Sequence, residues 1–209
     1  MQFHTKPTSI ILFLLPAMFM SISCSALRGV GEAITNLSRC SFKVESVSNF
    51  SLAGISLGNK SSYSIADGLT LAASFARNEF PASFTLNVAA VNPNDGTGGT
   101  PSSAATLTRF AWTLLIDNTE TIRGDIAEPF TIPGTGQQSI IPLTMSLDLF
   151  QVFRNRGYES IINLALALGG VNRTTSSITL RARPTIDTRF GPINYPEEIT
   201  IVDREFRSR

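Results

Sequence analysis

His4 is the only histidine in the 209 residues, and it stands ahead of the apolar run Ile10 to Met20. A mature chain cut after that run has no imidazole, which removes Ser-His-Asp triads, Cys-His pairs and histidine metal sites. Few other groups could do chemistry. Beyond Lys6 the only lysines are Lys43, in a strand-like piece, and Lys60, in a turn, which is poor placement for a Ser-Lys dyad. Glu197 and Glu198 are adjacent acids, but neighbours on a strand point to opposite faces, so they read as a solvated turn rather than a pair flanking one bond. The segment from Asn92 to Thr100 (NPNDGTGGT) offers oxygen atoms and glycines. It lacks the spaced acids and terminal Glu of a calcium-binding EF-hand and the Gly-Lys-Ser/Thr ending of a P-loop. Asn92 and Asn94 are expected instead to hydrogen-bond the backbone around Pro93. The prediction is a chain with no catalytic residue, no cofactor site and no metal site, and not an enzyme.

The cysteines carry a different message. Ile10 to Met20 (IILFLLPAMFM) is eleven residues long, the length of a signal-peptide apolar core and too short for the ~20 residues that span a bilayer. It ends in Ser21-Ile22-Ser23-Cys24-Ser25. Small residues just before a cysteine resemble the lipobox at which bacterial lipoprotein signal peptides are cut, although Ser21 stands where Leu is usual. The resemblance implies cleavage before Cys24 and lipid attachment to it; an ordinary cysteine near a conventional cleavage site is the alternative. Cys40 is then the one remaining thiol, so no intramolecular disulfide is expected. Cys40 reads as a small buried residue at the start of a strand.

Loss of Lys6 with the leader takes the 17 basic residues to 16, against 16 acidic ones. A neutral chain without Lys/Arg blocks lacks the footprint of a nucleic-acid binder. With 43% hydrophobic and 16% charged residues, the chain after the leader should fold, and its length suits one domain.

The elements that must position these residues are mostly strands. Phe84, Leu86, Val88 and Ala90 alternate with polar or small residues over Ala82 to Val91, and Phe110, Trp112, Leu114 and Ile116 repeat the pattern. A third strand is predicted from Thr121 to about Phe130 and a fourth from Gln138 to Ser146. Two more are expected at Ser177 to Arg183 and Ile193 to Phe206. Shorter strand pieces hold Phe42 and Val44, then Leu52, Ile55 and Leu57, before a turn at 58–62. Ser64 caps a predicted helix running to about Asn78. Phe150, Phe153, Ile161, Leu164 and Leu168 fall at helical spacing, with Gly157 as a break and Gly169-Gly170 as a stop. About seven strands with helices at two places predict a mainly β fold, an antiparallel sandwich with one or two added helices.

A strand ending in Asn92-Pro93-Asn94, an aromatic strand from Leu107 to Ile116, Ile122-Arg123-Gly124, and Phe130-Thr131-Ile132-Pro133 before another apolar strand together resemble the late embryogenesis abundant (LEA) type 2 family, also called the WHy domain. The resemblance is good over Ala82 to Ser146 and extends more loosely from Cys40 to Phe206. It implies an immunoglobulin- or fibronectin-III-like sandwich, a non-enzymatic role in stress or desiccation, and a structural role for Asn92, Pro93, Asn94 and Gly124.

The expected organisation is a lipoprotein signal peptide at 1–23, a tether at 24–39 and the WHy-like domain at 40–206. The partner this implies is a bacterial membrane reached through lipid on Cys24, with the outer membrane of the cell envelope favoured over the inner, and no nucleic acid. The alternative function is binding or transfer of lipid or another hydrophobic ligand, in a groove walled by the segment from Phe150 to Leu168.

Overall fold

The computed structural model describes residues 31–57, 64–97, 101–169, 177–188 and 191–203. Cys24, the predicted turn at 58–62 and Phe206 lie outside the described residues. A helix, α1, occupies 31–39, and β1 follows at Ser41–Leu52. A tight turn through Ala53 and Gly54, both with positive φ, leads to the short β2, Ile55–Ser56. Then come α2, Ile65–Ala76, and β3, Pro81–Val91. The remaining elements are β4 (Ala105–Ile116), β5 (Thr119–Gly124), β6 (Phe130–Ile132), β7 (Gln138–Asp148), α3 (Leu149–Val152), α4 (Tyr158–Leu168), β8 (Ile178–Thr188), β9 (Gly191–Asn194) and β10 (Ile199–Asp203).

Two antiparallel sheets result. One has the order β2-β1-β3-β7; the other runs β10-β8-β4-β5, with β6 also on β4 and β9 also on β8. The predicted antiparallel sandwich is therefore the observed architecture, and its core follows from the period-two alternation. Phe84, Leu86, Val88 and Ala90 of β3 and Phe110, Trp112, Leu114 and Ile116 of β4 are all buried in one hydrophobic cluster. The ring of Phe42 from the first sheet meets that of Phe110 from the second at 5.7 Å between centroids. Each buried Phe, Leu, Ile or Val side chain among them contributes about 1.5–3 kcal/mol relative to exposure.

Three stretches differ from the expected elements. The third strand is two, β5 and β6, both on the same edge of β4. The Asp125 carboxylate explains the gap: it accepts the amide N–H groups of Phe110 (2.7 Å) and Ile126 (2.9 Å), taking the place of a strand partner. Pro129 then restricts re-entry into the ladder. The last predicted run is likewise two strands, β9 and β10, both paired with β8 and separated by Tyr195-Pro196-Glu197-Glu198. Finally, the described part of the predicted tether is helical. Leu37 of α1 is 1% exposed and belongs to the core, so packing begins ahead of Cys40. Four helices occur among the described residues where sequence periodicity pointed to two places.

Candidate functional site

Asn92-Pro93-Asn94 forms a buried polar knot at one end of the sandwich. The alternation of β3 ends there because Pro93 has no N–H to offer a ladder. Asn92 is fully buried, and its amide is used to capacity. Its Nδ2 donates to the carbonyls of Ser103 (2.8 Å) and Ile132 (3.1 Å). Its Oδ1 accepts from the Asn94 backbone N–H (3.1 Å) and from Asn94 Nδ2 (2.7 Å). Asn94 Nδ2 also donates to the Asn36 carbonyl of α1 at 3.0 Å, while the Gly136 N–H reaches the Asn92 carbonyl at 3.0 Å. One motif thus joins β3, the approach to β4, the end of β6, the turn before β7, and α1. Of the bonds expected to the backbone around Pro93, the one from the Asn94 N–H to Asn92 Oδ1 is present, whereas the side-chain donors reach carbonyls distant in sequence.

Gly134 completes the knot. A Cβ there would lie 2.5 Å from the Asn94 carbonyl oxygen and 2.6 Å from that of Ser103, so only glycine lets the turn before β7 come this close. The sequence does not announce this close approach of three loops. Gly124 has a comparable role elsewhere. It sits opposite Trp112 in the β4–β5 ladder, and an added Cβ would fall 2.3 Å from Cζ2 of the indole. Trp112 Nε1 is buried without a hydrogen-bond partner among the described residues.

The groups considered for chemistry lie apart. Lys43 pairs with Glu45 at 2.7 Å on the exposed side of β1. Glu197 and Glu198 are both exposed in the loop between β9 and β10, and Glu198 lies 3.8 Å from Arg181. Asp95 accepts the Thr97 hydroxyl (2.7 Å) and amide (2.9 Å), and these bonds, the hydroxyl foremost, hold its carboxyl below the usual range. Burial pushes the Cys40 thiol up to about 11, so it stays protonated near neutral pH and is a poor nucleophile. Among the described residues no three His, Cys, Asp or Glu side chains gather as metal ligands.

The segment from Phe150 to Leu168 packs inward. Phe153, Ile161, Leu164 and Leu168 are buried in the core, and Phe150 packs against it, with its ring 5.5 Å from that of Phe75. These residues close the sandwich.

No protein-family model matches the sequence, and no curated protein does. Among solved structures, one resembling the chain is described as a late embryogenesis abundant (LEA) protein; it is 14% identical, with 99% of this chain and 95% of that one covered, at a TM-score of 0.39. A protein from Archaeoglobus fulgidus is 10% identical over 80% of this chain and 98% of its own, with a TM-score of 0.33. An Arabidopsis thaliana protein is 15% identical over 58% of this chain and 70% of its own, with a TM-score of 0.29. Superpositions this loose say nothing about what the chain does.

Proposed function

We propose that this chain is a non-enzymatic, lipid-anchored protein of the bacterial cell envelope, of the LEA type 2 (WHy) kind, whose domain protects membrane or protein surfaces during water loss and related stress. The observation that carries the anchor is the order of residues: an eleven-residue apolar run, Ser21-Ile22-Ser23, then Cys24. Two or more acyl chains on Cys24 give stable attachment where one is marginal, because each buried CH₂ contributes about 0.8 kcal/mol. Ser25 carries no inner-membrane retention signal, which favours the outer membrane. The folded domain supports a non-catalytic reading in that the motif asparagines are spent on backbone carbonyls and the lone described thiol is held protonated.

Mass spectrometry of the mature N-terminus, beside a Cys24→Ser variant, tests the anchor; a soluble, unlipidated wild-type product overturns it. The protective role is tested separately. Deleting the gene should lower survival after drying, osmotic shock or freezing, and unchanged survival in all three counts against it.

A further inference from the structure

A cleft of about 660 Å³ opens beside the Asn-Pro-Asn knot, within the roughly 300–1,000 Å³ of small-molecule sites. Glu32, Thr35, Asn36 and Arg39 of α1 form one wall, and Ser102 and Ser103, ahead of β4, form the other; Gly31 and Pro101 are the remaining described residues of the lining. Residues 32, 35, 36 and 39 share one helical face, and Glu32 and Arg39 stand two turns, about 10 Å, apart along the axis. Among the described residues neither is ion-paired with the other or with any other charged side chain. Among the described residues Arg39 makes one long contact, Nη1 to Asn94 Oδ1 at 3.4 Å, which leaves most of its five-donor fork unspent there. The knot fixes the wall itself: Asn94 holds the Asn36 carbonyl at 3.0 Å, and Asn36 Nδ2 donates to Ser103 Oγ at 3.2 Å.

A preformed cleft whose carboxylate at one end has no ion-pair partner among the described residues, and whose other end offers a guanidinium, is complementary to a ligand carrying both charges. We propose that it binds a small zwitterion, its primary ammonium on Glu32 and its phosphate or carboxylate on Arg39. A guanidinium suits either anion through paired N–H donors. Among the described residues no aromatic side chain lines the cleft, and quaternary ammonium groups are held by aromatic faces, so an ethanolamine-type ammonium fits better than a choline-type one. A phospholipid headgroup and a free zwitterionic metabolite share this chemistry. The lipid source rests on the anchoring reading above: Gly31 stands seven positions after Cys24, at most about 25 Å of extended chain, which holds the cleft beside the bilayer surface.

The test is an amide-shift titration of the full chain with glycerophosphoethanolamine. Shifts are expected over 32–39 and 101–103, weakened about tenfold by Glu32→Gln and by Arg39→Gln, with glycerophosphocholine binding more weakly than its ethanolamine counterpart. Both substituted positions are exposed, so thermal melts of the variants should match the parent. Absence of shifts, or binding by both variants as tight as the parent's, overturns the site. The same chain on bilayer discs with and without phosphatidylethanolamine assigns the source. Amide protection of 31–39 that rises only with phosphatidylethanolamine supports the headgroup, and no difference between discs, given binding in solution, overturns it in favour of a free zwitterion. The titration needs no lipid on Cys24, so its failure leaves the anchor standing, and an unlipidated N-terminus leaves the cleft chemistry standing.

Discussion

Where β3 runs out at Val91, the sandwich is closed by directed hydrogen bonds: Asn92 and Asn94 terminate carbonyls from Asn36, Ser103 and Ile132. Where β3 begins at Pro81, it is closed by rings and aliphatic side chains. There Phe80 is fully buried, with Phe75 edge-on at 6.2 Å and Phe150 beyond it, while α3 and α4 fill the space beneath. Polar groups at this second end sit toward its rim, as in the Arg156–Asp117 pair at 2.9 Å, and one of them, Asp148, caps α3 while accepting the Phe80 N–H. The two closures should fail differently. Apolar packing is non-directional and responds chiefly to volume, whereas a saturated buried amide responds to any change in its donors and acceptors, even at constant size.

The largest effect is expected at the aromatic end. Phe80→Ala should destabilise by about 4 kcal/mol, since it deletes a fully buried ring and leaves a cavity, whereas Phe80→Leu should cost only about 1–2 kcal/mol. At the polar end that tolerance should vanish. Asn92→Ala leaves the Ser103 and Ile132 carbonyls and the Asn94 amide without their partner, at about 3 kcal/mol. Asn92→Asp keeps the shape but removes both donors, and should cost nearly as much as alanine. Urea unfolding of the four variants checks the contrast. A mild Asn92→Asp, or a Phe80→Leu as damaging as Phe80→Ala, breaks it.

The same contrast explains what was legible in the sequence. Period-two alternation announces which side chains go inward, so β3, β4, β7 and most of the core followed from residue types alone, as did the Ser64 cap of α2. Strand interruptions did not. The gap between β5 and β6 depends on a carboxylate at position 125 meeting the amide of residue 110, a pairing that local pattern cannot reveal. The hairpin joining β4 to β5 is tight because Asp117 and Asn118 both adopt positive φ, conformations that Asp and Asn tolerate without requiring. Of the candidate site, the Asn-Pro-Asn knot was visible as a turn, but its tie to α1 was hidden because 31–39 is short, rich in small residues and joined to the core chiefly through Leu37.

Gly124 sharpens the comparison along the sheet, away from either end. The indole of Trp112 lies across it, so Gly124→Ala should force the ring aside at about 2 kcal/mol. Near-ultraviolet circular dichroism should report the displaced indole, because Trp112 is the only tryptophan. An unchanged spectrum with unchanged stability would mean that the strand backbone gives way to the added methyl and the indole stays in place.

The smallest effect is expected at Ser64, and it asks whether α2 belongs to the aromatic closure or merely lies over it. Ser64 Oγ accepts the Asp67 N–H at 3.1 Å and the Asp67 carboxylate accepts the Ser64 N–H at 2.9 Å, a reciprocal cap. Ser64→Ala removes one half of it, worth about 1 kcal/mol of helix stability. Inside α2 only Ser74 is buried, Leu71 and Phe75 are half-buried against the core, and Ile65 and Leu69 stand 86% and 67% exposed. A helix so lightly attached should open locally at lower free energy than the sheets. Hydrogen exchange of Ser64→Ala should therefore show faster amide exchange confined to α2, with β3 and β7 protected as in the parent. If β3 and β7 lose protection in step with α2, the helix is integral to the closure, and the apolar end is then as cooperative as the polar one.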